Sequence, residues 1–256
     1  VDLSAVASLQ AATVPVTFAI DFTGNPTGQS SYEIGALRLT GDQCTPAITG
    51  VTPGSLPQLT DDCFVVDGEC LDHLVGVTWD GQTIPGGPGP FPGHYGEAFY
   101  TPVGANQIRV CPPFCEPIGD HEIRLFFAND SLATIVAITT PAAPTLLCEH
   151  APKIDFEQCV YISSGPLPGP NALFVGLSLS NSPTVVPGIL NFDIGAQFSS
   201  LVCLNAPPGE CTKVRIGMIP PAFLGLTQFF QGIVWNFGST VLPLPTTNVC
   251  ASTYVN

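Results

Sequence analysis

The stretch Leu74-Val75-Gly76-Val77-Thr78-Trp79-Asp80-Gly81-Gln82-Thr83-Ile84 is a short apolar run punctuated by glycine. Runs of the same kind lie on both sides of it. Cys63-Phe64-Val65-Val66-Asp67-Gly68 precedes it; Gln107-Ile108-Arg109-Val110-Cys111 and Gly119-Asp120-His121-Glu122-Ile123-Arg124-Leu125-Phe126-Phe127 follow. Short alternating strands separated by Pro and Gly turns at regular spacing read as a β-sandwich. The punctuation excludes the alternative. With 27 Pro and 26 Gly in 256 residues, long helices are not sustainable, because Pro costs ~3 kcal/mol and Gly ~1 kcal/mol in a helix interior. The chain is expected to be all-β.

A hydrophobic fraction of 45% is ordinary for a folded chain and excludes wholesale disorder. Six Lys and Arg against 20 Asp and Glu give a net charge of −14. That balance repels nucleic-acid phosphate and anionic lipid, so no nucleic-acid partner is expected. The longest apolar region, Met218 to Trp235, is broken by Pro220, Pro221, Gln228 and Gln231. It does not meet the ~20 apolar residues of a membrane-spanning helix, so no membrane span is expected.

Ten cysteines, Cys44, Cys63, Cys70, Cys111, Cys115, Cys148, Cys159, Cys203, Cys211 and Cys250, point to disulfides and an extracellular, secreted or cell-surface protein. Cys111-Pro-Pro-Phe-Cys115 has the spacing of a zinc knuckle, but no second knuckle matches it. Disulfides are therefore expected over metal. Connectivity stays open between local closure, Cys63 with Cys70 and Cys111 with Cys115, and a Cys63–Cys111 bridge across antiparallel strands. The second is favoured, because prolines constrain the short Cys111–Cys115 loop. The opening Val1-Asp2-Leu3-Ser4 has no Met, basic segment or apolar leader, and is read as a mature, cleaved start.

Val14, Val16, Phe18, Ile20 and Phe22 alternate with less apolar residues, the period of a strand with one apolar face. Residues 1 to 11 admit either a strand or a short helix. Gly24 to Ser31 reads as a flexible tether before a second strand at Tyr32 to Leu39. Charge is uneven: residues 33 to 157 hold most of the Asp, Glu, Lys and Arg, and none of these nor any His follows Arg215. Sheet edges are normally guarded by charge. Either Ser, Thr, Asn and Gln suffice for solubility at the unguarded ends, or those surfaces are covered.

From Thr45 the motifs fall into a known order: Pro46-Ala47-Ile48-Thr49-Gly50-Val51-Thr52-Pro53-Gly54, then the Val77-Thr78-Trp79-Asp80-Gly81 strand, then Gly119-Asp120-His121-Glu122-Ile123. Residues 45 to 141 resemble the IPT/TIG family of immunoglobulin-like domains. The cysteines and the rich loop Pro85 to Gly93 depart from the family pattern. The resemblance implies a binding or spacer module and not a catalyst. Pro141-Ala142-Ala143-Pro144 reads as a hinge. Beyond it come Ala172-Leu173-Phe174-Val175-Gly176-Leu177-Ser178-Leu179, then Ile219-Pro220-Pro221, then Gly225 to Trp235 with Gln228 and Gln231; on these, residues from about 165 onward resemble an uncharacterised C-terminal domain of secreted bacterial proteins. The expected architecture is an N-terminal strand-rich arm (1–44), an IPT/TIG-like domain (45–141) and a second β-sandwich domain (142–256).

The search for chemistry returns little. His73, His94, His121 and His150 never lie two to four residues apart, so the helical zinc pair is missing. His121 is expected at a strand surface position. No nucleophile elbow or phosphate loop occurs. Asp61, Asp62, Asp67, Glu69 and Asp72 form an acidic run that reads as a solvated loop in preference to a Ca²⁺ site. Phe91, Tyr95, Phe99 and Tyr100 could stack on sugar rings, although folding back onto the sandwich is favoured. Asn129-Asp130-Ser131 fits a glycosylation sequon.

The resulting expectation is a non-enzymatic structural protein with no cofactor and no metal, the subunit of an extracellular filament or surface layer. Its partners are copies of itself, joined when Val14, Val16, Phe18, Ile20 and Phe22 are donated as a strand to the next subunit. The alternative is a cell-surface carbohydrate-binding or adhesion module with surface glycans as ligands.

Overall fold

The computed structural model describes residues 16–23, 33–41, 44–87, 96–128, 130–167, 171–195, 200–206, 209–238 and 242–256. Within them the regular structure is β-strand, with two single-turn 3-10 helices at Leu71–His73 and Pro221–Phe223. The fold is all-β, as the density of Pro and Gly demands. No helix among the described residues is long and apolar enough to cross a membrane.

The first two strands, β1 (Val16–Thr23) and β2 (Glu33–Gly41), form an antiparallel hairpin in register from Val16 opposite Gly41 to Thr23 opposite Glu33. Among the described residues this ladder joins no other sheet. The Gly24 to Ser31 segment therefore connects two paired strands and does not tether a single one. Val14 and the 1–11 stretch lie outside the described residues.

The first sandwich follows. One sheet holds β3 (Ala47–Thr52), β5 (Phe64–Glu69), β9 (Gln107–Cys111) and β8 (Phe99–Gly104), in that order. The other runs β4 (Ser55–Pro57), β11 (Ser131–Thr139), β10 (Gly119–Phe126), β6 (Gly76–Trp79) and β7 (Gln82–Ile84). β4 pairs parallel to β11, and the remaining pairs are antiparallel. In immunoglobulin lettering these are the sheets A-B-E-D and A′-G-F-C-C′, so the sandwich is Ig-like. Alternation explains its core: Phe64 and Val66 of β5 and Ile123 and Leu125 of β10 are fully buried. They pack with Val77, Trp79, Ile108 and Val110 from the facing and neighbouring strands. Each large side chain so buried contributes roughly 1.5–3 kcal/mol.

The second sandwich packs β12 (Thr145–Cys148), β13 (Glu157–Ser163) and β18 (Cys211–Met218) against the sheet β17 (Ser200–Ala206), β14 (Asn171–Ser178), β19 (Thr227–Asn236), β20 (Thr246–Thr253). A small hairpin of β15 (Thr184–Val186) and β16 (Leu190–Phe192) is added. The core holds Leu146, Val160, Ile162, Leu173, Val175, Phe230 and Val234. The seam between its sheets is closed twice. Cys148 bridges β12 to Cys250 of β20. Nearby, the Asn248 carboxamide accepts from the Leu146 N–H and donates to its carbonyl, both at 2.9 Å, standing in for a strand partner.

Candidate functional site

The junction between the sandwiches is built from loops that sequence alone leaves unconnected. Cys115, in the loop between β9 and β10, is bonded to Cys211 at the start of β18, 96 residues away. Around this bond, Leu59 and Phe114 of the first sandwich pack on Tyr161 of the second, with Leu147 and Cys159 beside them. The Phe114 and Tyr161 rings meet edge to face, 5.3 Å apart, and the Lys213 ammonium lies 5.6 Å from the Tyr161 ring centre. Burial pushes the Tyr161 phenol well above its ordinary value. The Pro141 to Pro144 segment is consequently not a free hinge. A covalent bond and a small core brace it, and Gly165 packs directly against the Ala143 backbone.

Beside the junction lies a cleft of about 770 Å³ between the sandwiches. Asp61, Asp62, Phe99 and Arg109 line one side, and His150 and Lys153 the other. Phe99, Phe114 and His150 all present rings to it beside charges of both signs. Burial raises the pKa of Glu149 on the same wall.

A second cluster lies at the β6–β7 turn. Asp80 sits at φ 46° and Gly81 at φ 78°, the two positive-φ positions of a tight hairpin. The Glu122 N–H donates to Asp80 Oδ1 at 2.7 Å. Asp80 Oδ2 lies 2.6 Å from Nδ1 of His121, which is also 3.3 Å from Glu116 Oε1. The other ring nitrogen, Nε2, is 2.8 Å from the Pro117 carbonyl. Trp79 stacks on the imidazole, with ring centres 5.3 Å apart. Burial disfavours the charged imidazole, but the Asp80 hydrogen bond, the Pro117 carbonyl and the two carboxylate charges outweigh it and raise the His121 pKa. Burial likewise pushes Asp80 up, and its hydrogen bonds to His121 and Glu122 with the imidazole charge bring it below the ordinary value.

The expected surface position of His121 is thus corrected: only 6% of it is exposed. The available signal was parity, since His121 shares an alternating face with the core residues Ile123 and Leu125.

The other expected residues disperse. Of the acidic run, Asp61 and Asp62 reach the cleft, Asp67 accepts from the Gln107 amide at 2.8 Å, and Asp72 lies 3.8 Å from His73. Phe99 lines the cleft and Tyr100 packs on the first core, while Phe91, Tyr95, His94 and Asn129 lie outside the described residues. Val16, Phe18, Ile20 and Phe22 occupy β1, opposite Gly41, Leu39, Leu37 and Ile34 of β2.

Four disulfides are present among the described residues: Cys44–Cys70, Cys63–Cys111, Cys115–Cys211 and Cys148–Cys250. Cys63–Cys111 follows from register, because Phe64 faces Val110 in antiparallel strands and the next pair is this one. Expectation and structure part at Cys159, which is a free thiol. It stands on the β13 face turned to the junction, where Tyr161 is its neighbour in the small core. Burial raises its pKa. The side chain of Cys203 lies outside the described residues. His150, near Cys148 and Cys250, has no metal partners there, since those two sulfurs are bonded to each other.

No family model matches the chain, and no curated protein matches it. Among solved structures, the chain is similar to immunoglobulin domains 1–5 of Sidekick-1, with 10% identity and a TM-score of 0.26 over 82% of this chain and 39% of that one. The chain thus spans about two fifths of the length of that structure. It is also similar to the collagen adhesin CNA from S. aureus, with 8% identity and a TM-score of 0.22 over 80% of this chain and 93% of that one. The Ig-like character of the first sandwich stands on its own strand order.

Proposed function

We propose that this chain is a non-catalytic extracellular structural protein, the subunit of a filament or surface layer joined by strand donation. In this reading residues 45–141 form an IPT/TIG-type domain and 142–256 a second β-sandwich domain. The N-terminal arm is the connector. The observation that carries it is the contrast between the two sandwiches, fixed to each other by Cys115–Cys211, and the β1–β2 hairpin, whose ladder joins neither among the described residues. A contact between the hairpin of one copy and a sandwich of the next is heterologous, and it propagates unless it closes into a ring. Disulfides of this number form in oxidising compartments, which supports an extracellular location. Exposed apolar side chains on the second sandwich, among them Val185, Ile189, Trp235 and Phe237, supply an acceptor surface with little charge to oppose docking. The test is negative-stain microscopy of the full chain and of a chain lacking residues 1–22: regular polymers in the first and folded monomers in the second support the reading.

A second reading is an adhesion module that takes surface glycans in the inter-sandwich cleft, favoured by Phe99 beside Arg109 and Asp61. A glycan array separates the two, since selective binding lost in Phe99→Ala would favour the module.

A further inference from the structure

We propose that Asp80, Glu116 and His121 form a binding site for a divalent transition-metal cation of the zinc class. The argument begins with hydrogen-bonding capacity. His121 Nε2 faces the Pro117 carbonyl, which can only accept, so Nε2 carries the N–H. In the neutral ring Nδ1 is then a lone pair, yet it points at two carboxylate oxygens, at 2.6 Å and 3.3 Å. Three lone-pair-bearing atoms from three separate elements, the β6–β7 turn, the β9–β10 loop and β10, converge within 4.8 Å of one another. Such convergence needs a positive charge at its centre. A proton on Nδ1 leaves two carboxylates facing one imidazolium, a net −1. A divalent cation bound to the neutral ring and both carboxylates makes the site neutral.

The donor set selects the class of cation. Calcium and magnesium take oxygen ligands, calcium six to eight of them. One imidazole nitrogen and two carboxylates are ligand types that zinc takes, and three protein ligands leave a fourth position for water. Donation of the distal ring N–H to a backbone carbonyl is what orients metal-bound histidines. At zinc bond lengths of about 2.0–2.2 Å, tetrahedral ligand atoms stand roughly 3.3–3.5 Å apart. Asp80, whose side chain is 40% exposed, has room to withdraw from 2.6 Å to that separation, while His121 at 6% is held. The rear of the site is closed by the stacked Trp79 ring.

The position gives the ion a consequence. Glu116 follows Cys115 directly, so a cation held by it would tie the β9–β10 loop to the β6–β7 turn one residue from the bond to the second sandwich. The site and the disulfide would together fix the loop that joins the two bodies.

The test uses the full chain, stripped with chelator and dialysed, then titrated with Zn²⁺ by calorimetry at pH 7 while His121 is followed by its ring ¹⁵N resonances. One ion per chain is expected, with a displaced His121 Nδ1 signal and at least tenfold weaker binding in both His121→Gln and Glu116→Gln. Mg²⁺ at the same concentration should leave the ring signals in place. The Glu116 side chain keeps 16% exposure against 6% for His121, so its variant keeps the test valid if His121→Gln does not fold. Unmoved His121 signals at saturating Zn²⁺, equal affinity in Glu116→Gln, or binding that moves His150 instead would each overturn the proposal.

Discussion

Gly96 of the first sandwich lies so close to Tyr161 of the second that a Cβ on Gly96 would stand 2.6 Å from the ring's Cζ. Gly96 also holds φ +85°, in the left-handed region, and its carbonyl accepts from the Phe114 N–H at 2.9 Å. One glycine therefore supports both the junction's ring and its backbone. Gly96→Ala adds a steric conflict to the conformational cost of a left-handed residue, ~1–2 kcal/mol. Gly225, at φ +79° with open space around it, carries the conformational cost alone. The melting temperature should fall further in Gly96→Ala than in Gly225→Ala, and equal losses would mean that Tyr161 moves away freely.

The Cys115–Cys211 bond is expected to couple the unfolding of the two sandwiches. A native disulfide in a secreted domain contributes ~2–5 kcal/mol. The double variant Cys115→Ser, Cys211→Ser should melt lower, and calorimetry should resolve two transitions in place of one. A single transition at the original temperature would show that Leu59, Phe114 and Tyr161 hold the junction unaided.

Thiol chemistry gives a third expectation. Non-reducing peptide mapping should return the four pairs named above, Cys63 with Cys111 among them, and alkylated Cys159. Because burial raises the Cys159 pKa, native alkylation at pH 7 should be slow and should accelerate on denaturation or at higher pH. Recovery of Cys159 in a disulfide would contradict this pairing.

Parts of this fold were legible and parts were not, for physical reasons. The Val77 to Gly81 motif reads directly because alternation and an Asp-Gly turn are local signals, and β6 and β7 lie where they point. The β1 alternation is local in the same way, but its partner β2 is set by a loop whose length says little. Cys115–Cys211 spans 96 residues, and spacing carries no information about such a closure. The Asp80, Glu116 and His121 cluster was illegible for the same reason. Asp80 and His121 are 41 positions apart and meet only because β6 pairs with β10. The acidic run from Asp61 to Asp72 shows the converse: neighbours in sequence on β5 and its flanking loops point to different surroundings.

Glu149 gives the pH dependence a sign. Burial raises its folded-state pKa above the ordinary 4.5. For a raised carboxyl the folded chain holds its proton more tightly than the unfolded chain. The associated stability is complete below about pH 4.5 and lost as pH rises through the folded value. Glu149→Gln removes the ionisation. The variant should melt above the wild type at pH 7 and lose that advantage at pH 4; an advantage independent of pH would assign the effect to packing.

The most direct measurement is sedimentation velocity with negative-stain imaging, over a wide concentration range, of the full chain beside the chain lacking residues 1–22. Removing β1 deletes Val16, Phe18, Ile20 and Phe22 and unpairs β2, while both sandwich cores are left whole. Strand donation predicts large regular polymers from the full chain and a folded, soluble monomer from the truncated one. A truncated chain that still polymerises, or a full chain that stays monomeric at every concentration, would contradict it.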